Sequence, residues 1–254
     1  MIAKFLIFLF SISALQLAFA SESVDVDVIY GEDDRLDVIE ASDNLHIELS
    51  TSTAAMISPS SLKEVNSSWG GSGSTEQFVV SGPTMIQRGM CKSERFAHQM
   101  TAARCSGFLV GEDLLVTAGH CVRSTNDCTD YKWVFNYKIA QADSNVIKVA
   151  KEDVFGCKEI VEQKLEGWGS DKDDFALIRL DRKAKGIRPL EFRKEGKPEV
   201  NDKLVVIGHP TGLPTKISAG AWVRSLDNGY FSANLDTYGG NSGSAVFNAT
   251  TGVV

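Results

Sequence analysis

Tyr238-Gly239-Gly240-Asn241-Ser242-Gly243-Ser244-Ala245-Val246 places a serine between glycines, just ahead of an apolar run. Glycine on both sides lets the backbone turn tightly, so the hydroxyl protrudes while neighbouring N–H groups converge on one point. This is how an acyl-transfer nucleophile is presented, although taken alone the same residues also read as a glycine-rich turn before the strand Ala245-Val246-Phe247. Two further stretches decide between these readings. Leu114-Leu115-Val116-Thr117-Ala118-Gly119-His120-Cys121 is an apolar run ending in a turn that offers a histidine, and Asp173-Asp174-Phe175-Ala176-Leu177-Ile178-Arg179-Leu180 is an apolar strand opened by carboxylates. Histidine, aspartate and serine thus follow one another in the chain, each at the edge of a buried-looking strand.

With TAGHC at 117 to 121, DFALIRL at 174 to 180 and GNSGS at 240 to 244, the sequence resembles the chymotrypsin-fold, trypsin-like serine endopeptidases, whose triad order is His, Asp, Ser. The resemblance implies an all-β fold of two antiparallel six-stranded barrels and a triad of His120, Asp174 and Ser242. Asp173 is the alternative acid, but the family pattern sets the acid directly before the apolar Phe175. The backbone N–H groups of Gly240 and Ser242 are expected to form the oxyanion hole. Asn241 stands where the trypsin branch has the aspartate that pairs with a freed amino terminus. Together with Val28-Ile29-Tyr30-Gly31-Glu32-Asp33-Asp34-Arg35, it brings the sequence nearest the V8-like (glutamyl endopeptidase) branch. Asp236, six residues before Ser242, and Thr237 are the expected substrate-pocket residues. In the trypsin branch the first holds a basic side chain and in the glutamyl branch the second lines the pocket, so a choice between acidic and basic substrates stays open. Twelve residues follow Ser242, fewer than the family's remaining strands need, so the second barrel is expected to be incomplete, with the chain cut short at its carboxy end.

Composition narrows the class. A chain of 254 residues with 43% hydrophobic and 23% charged content can bury one large core or two smaller ones. Its net charge of −7, without a lysine or arginine cluster, argues against a nucleic-acid partner. Lys4, the apolar run from Phe5 to Leu17 and Ala18-Phe19-Ala20 read as a secretory leader over 1–20 with its cleavage site, rather than as a membrane anchor. The mature protein is therefore expected to be secreted or periplasmic, probing protein or peptide substrates as a monomer and off the membrane. Export makes the five cysteines potential disulfides. The family's histidine-loop bridge implies Cys105 with Cys121. Cys128 and Cys157 are candidates for a second bridge, though connectivity does not follow from sequence, and Cys91 is left over. No histidine and cysteine pair has zinc-ligand spacing, so neither metal nor cofactor is expected.

Along the chain, 21–50 reads as an acidic amino-terminal segment. Either part of it is a propeptide that exposes Val28 or a neighbour as a new terminus, or it is ordinary acidic surface. Residues 51–188 are expected to form the first barrel, carrying His120 and Asp174, and 189–254 the partial second barrel with Ser242. Thr53 to Ile57, Phe78 to Val80, Met85-Ile86, Cys105 to Val110, Leu114 to Thr117, Trp133 to Phe135, Val146 to Val149 and Phe175 to Leu180 are the expected strands of the first half. Leu204 to Pro210, Ala219 to Arg224 and Tyr230-Phe231 are those of the second. Asn66 to Thr75 is a loop, and Asn66 and Asn248 open formal glycosylation sequons. His46 and His98 read as surface residues and His209 as a weak candidate for the substrate side. A reading from a different class is an inert exported binding protein on the same fold, or an inactive fragment of an active protease.

Overall fold

The computed structural model describes residues 29–65, 76–142, 144–167, 173–227 and 229–254. The leader, Val28, the loop at 66–75 and its sequon lie outside them. Six strands close a barrel in the order β10-β6-β5-β2-β7-β9: β2 (Thr53–Ile57), β5 (Ala103–Leu109), β6 (Leu114–Thr117), β7 (Lys132–Phe135), β9 (Val154–Glu166) and β10 (Asp173–Leu180). All of its pairings are antiparallel. The turn at 111–113 joins β5 to β6 as the alternating apolar runs predict.

β2 is buried at every position, which a half-exposed antiparallel strand would not be. Ala54 and Met56 face the barrel core with Leu109, Trp133 and Ile178. Ala55 and Ile57 face the opposite way, under a three-stranded sheet of β3 (Leu62–Val65), β4 (Gln77–Val80) and β8 (Ile147–Ala150). Small side chains at 54 and 55 allow this double covering. Met85-Ile86, expected as a strand, is instead the entry to a 3₁₀ turn at Ile86–Arg88. Pro83 precedes it, Gly89 ends it at φ 91°, and Thr84 Oγ1 accepts from Gln87 N at 3.2 Å, so the chain turns before a ladder can form.

The second half is an open sheet in the order β1-β12-β11-β14, with β13 paired to β12. Its strands are β1 (Arg35–Asp37), β11 (Lys203–Gly208), β12 (Lys216–Leu226), β13 (Phe231–Ala233) and β14 (Ala245–Asn248). The acidic amino-terminal segment is therefore no ordinary surface: β1 pairs with β12, Arg35 opposite Ser218. After it, α1 (Asn44–Ser50) starts at Asp43, whose carboxylate accepts from Leu45 N at 2.8 Å and His46 N at 3.3 Å. Its Leu45 and Leu49 join Val205, Ile207 and Phe247 in the core of this half. His46 is consequently buried, with Nε2 3.1 Å from the Ala249 carbonyl, and not on the surface as its polar neighbours suggest. A second short helix, α2 (Thr125–Asp130), follows the histidine turn. No helix among the described residues is long and apolar enough to cross a membrane.

Candidate active site

His120 sits in the turn that leaves β6, and Asp174 near the start of β10, the strand paired with β6. Barrel closure therefore brings together residues 54 apart in sequence. Asp174 Oδ2 lies 2.7 Å from His120 Nδ1, and its Oδ1 accepts from His120 N at 2.8 Å. A carboxylate can only accept, so the proton of the neutral ring resides on Nδ1 and Nε2 is left as an acceptor. Asp173 does not compete for this place: its carboxylate is exposed and pairs with Lys164 at 3.0 Å.

Ser242 lies in the second half, just before β14, but its backbone is tied to the first. Its carbonyl accepts from Ser106 N at 2.9 Å and lies 3.8 Å from the sulfur of Cys121, the residue after His120. The hydrogen bonds of the described residues do not include one between His120 Nε2 and Ser242 Oγ; such contacts are often long before substrate binds. Gly240 has φ 101°, and a Cβ there would come within 2.5 Å of the His209 carbonyl and 2.9 Å of Gly212 N, so no side chain fits. Gly243, at φ 84°, is packed as closely against Ser106 and Thr117. Among the described residues neither Gly240 N nor Ser242 N donates to the protein, which leaves both free for an oxyanion.

The staple between the halves is Ser106, which the sequence reading passed over. Wholly buried, it donates from Oγ to the Gly240 carbonyl at 2.8 Å and accepts from His209 N at 3.0 Å. Only its position next to Cys105 hints at this. The bridges Cys105–Cys121 and Cys128–Cys157 are both formed, and Cys91 is free and exposed. The first ties the histidine turn to β5; closing a loop of that length contributes about 3 kcal/mol in the chain-entropy account. The two sulfurs and one His120 ring nitrogen lie within 4.8 Å of one another, but sulfurs joined to each other offer a metal no thiolate.

Asp236 is a correction. Its carboxylate is buried and accepts from Tyr30 N at 2.8 Å and Asp34 N at 3.2 Å, so it is committed to the amino-terminal segment and not offered to a substrate. Thr237 is half-buried beside it. Tyr238 is covered by the Arg35 guanidinium, 4.7 Å from its ring centre. That guanidinium is held by Asp33 through bonds of 2.8 and 2.6 Å and also lies 5.4 Å from the centre of the Phe96 ring. His209 is also a correction: it is wholly buried, its Nδ1 3.1 Å from the Leu213 carbonyl. Burial pushes its pKa down to about 3, so it stays neutral and has no exposed ring to offer a substrate.

Burial, and then the charges of Asp236 and Asp33, push the Asp34 carboxyl up to about 6, against the Ser218 hydroxyl that donates to it. A carboxyl raised in the folded state holds a proton that the unfolded chain has released, so its contribution is complete below about pH 4 and is lost as pH rises through about 6. Wild-type protein is therefore expected to lose melting temperature over that window relative to Asp34→Asn, which keeps a donor and never ionises. Parallel Tm-against-pH curves for the two proteins would refute the raised Asp34 carboxyl.

A closed barrel that carries a hydrogen-bonded His–Asp pair, joined to an open sheet whose entry turn carries a glycine-flanked serine, defines a serine peptidase of the chymotrypsin fold. The chain belongs to the trypsin-like peptidase domain family, whose family model matches residues 105–254. Among solved structures it is similar to a Glu endopeptidase determined in complex with MPD, at 18% identity and a TM-score of 0.53, over 90% of this chain and 85% of that one. It is also similar to a serine endoprotease from Yersinia pestis, at 13% identity and a TM-score of 0.49, over 84% of this chain and 56% of that one. No curated protein matches the chain. At 18% identity, the likeness to the Glu endopeptidase speaks for the fold alone.

Proposed function

We propose that the chain is an exported serine endopeptidase that cleaves peptide bonds through His120, Asp174 and Ser242 by way of an acyl-enzyme. The observation that carries this is the pair of bonds from His120 to Asp174, 2.7 and 2.8 Å, which leaves the other ring nitrogen, Nε2, available as the base. Ser242 Oγ attacks the scissile carbonyl carbon as its proton passes to His120 Nε2. The oxygen of the tetrahedral intermediate is met by Gly240 N and Ser242 N, each donor contributing roughly 3 kcal/mol. Collapse breaks the C–N bond, the imidazolium protonates the leaving amine, and an ester remains on Ser242. Water, deprotonated by the same imidazole, then releases the acid and restores the serine.

Two disulfides support an oxidising compartment, in keeping with the leader read at 1–20. Because Asp236 is held by Tyr30 and Asp34, the pocket before Ser242 does not recognise arginine or lysine through that carboxylate, and Thr237 is left as the polar group lining it. A fluorophosphonate probe tests the reading, since it needs an activated serine and an oxyanion hole but little pocket. Wild-type protein should be labelled, and Ser242→Ala should not. Labelling that persists in the variant, or fails in the wild type, defeats the proposal.

A further inference from the structure

A cleft of about 430 Å³ is lined by Gly239 and Gly240 of the serine turn. Two guanidiniums line it, Arg88 and Arg104, and among the described residues no carboxylate does, in a chain whose net charge is −7. Both are held in place without being neutralised. Arg104 Nη1 donates to Tyr131 Oη at 2.6 Å with the guanidinium 5.2 Å from that ring's centre, and Arg88 Nη2 donates to the Thr101 carbonyl at 3.1 Å. Neither has an ion-pair partner among the described residues. Each therefore keeps further N–H donors directed to solvent or ligand. The floor also holds Thr211, whose buried hydroxyl has no partner and whose φ of 56° is unusual for a β-branched residue.

Which half of a substrate meets this cleft follows from the bond between the two loops. The leaving amine must stand beside His120, which protonates it. Cys121 follows His120, its disulfide partner is Cys105, and Arg104 precedes Cys105. The leaving-group half thus emerges along the bridge towards Arg104, whereas the acyl half runs towards Thr237. Resting on the peptidase reading above, we propose that this cleft is a specificity subsite for an aspartate or glutamate side chain at the first or second residue after the scissile bond.

Both arginines are exposed to water, so the preference should be moderate and sensitive to salt. Cleavage-site profiling of a mixed peptide library by mass spectrometry, on the full chain, is the test. Wild type should favour Asp and Glu over Lys and Arg at those two positions by roughly fivefold at low salt, declining at about 1 M salt. Arg88→Glu/Arg104→Glu should abolish or invert that preference. Its profile before the scissile bond and its fluorophosphonate labelling should be unchanged, which shows that the variant is folded and armed. A wild type that labels but shows no charge preference after the bond, or shows one only before it, overturns the subsite and leaves the peptidase reading standing. A preference that survives the double variant overturns it too. Absence of both labelling and cleavage in the wild type overturns the peptidase reading and the subsite with it.

Discussion

Asp174→Asn should lower kcat by about 10⁴-fold while melting temperature and substrate binding barely change. In the native site one carboxylate oxygen accepts from His120 N at 2.8 Å and the other from Nδ1 at 2.7 Å. An asparagine has a single acceptor oxygen. If that oxygen keeps the backbone N–H, the side-chain NH₂ faces the ring and donates to Nδ1. The proton of the neutral imidazole must then sit on Nε2, where it blocks transfer from Ser242 Oγ. Geometry survives and the base is lost. Steady-state kinetics on a cleavable peptide, with thermal melts as the control, measure this. A loss smaller than about tenfold would mean that Asp174 does not fix the tautomer.

The largest effect on stability is expected at Asp37→Ala. Asp37 and Lys216 form an ion pair in which both side chains are almost fully buried. Gln99 closes the network, donating to Asp37 Oδ2 at 2.7 Å and accepting from Lys216 Nζ at 2.8 Å. The ammonium also lies 4.4 Å from the centre of the Phe96 ring. Burial pushes Lys216 down to about 8, and Asp37 works against that shift. Removing the carboxylate strands a buried cation, which typically costs about 3–5 kcal/mol. The folded lysine is then depressed further below its unfolded value, so the unfolded chain binds more protons near neutrality and the variant should regain stability as pH rises towards 10. Asp37→Leu/Lys216→Met should recover most of the loss, because an apolar pair of similar volume removes both desolvation terms. Urea titrations at two pH values decide it; a variant no weaker than one lacking an exposed carboxylate would show that the network is dispensable. The consequence reaches the site, since Asp37 anchors β1, and β1 carries the Arg35 that covers Tyr238, four residues before Ser242.

Much of the first half is legible because barrel strands are short apolar runs whose ends carry the chemistry. The run 114–117 delivers His120, and the run that starts at Asp173 delivers Asp174; both are β-strands and they are neighbours. The run 77–80 and the run that becomes β8 are also strands, but β3 and the three-stranded sheet it completes are not readable, because Leu62–Val65 is mostly exposed and half of it is charged. The histidines show the opposite failure. His46 and His209 lie among polar or turn-forming neighbours, yet both are buried, because a helix face and a turn pack against elements about 200 and 100 residues away in the chain.

From its sequence alone this protein declares a two-part β architecture, three chemistry-bearing stretches in a fixed order and a cysteine spacing that suits a bridge at the histidine turn. Those are local properties, set by apolar runs, glycines and short spacings. Only the tertiary structure decides that Asp236 serves the amino-terminal segment, that Ser106 joins the halves, and that Arg35, Asp37 and Lys216 are buried together. The reason is desolvation: a sequence shows that a residue is charged, but whether water is removed from it depends on strands that pair across 179 residues of chain.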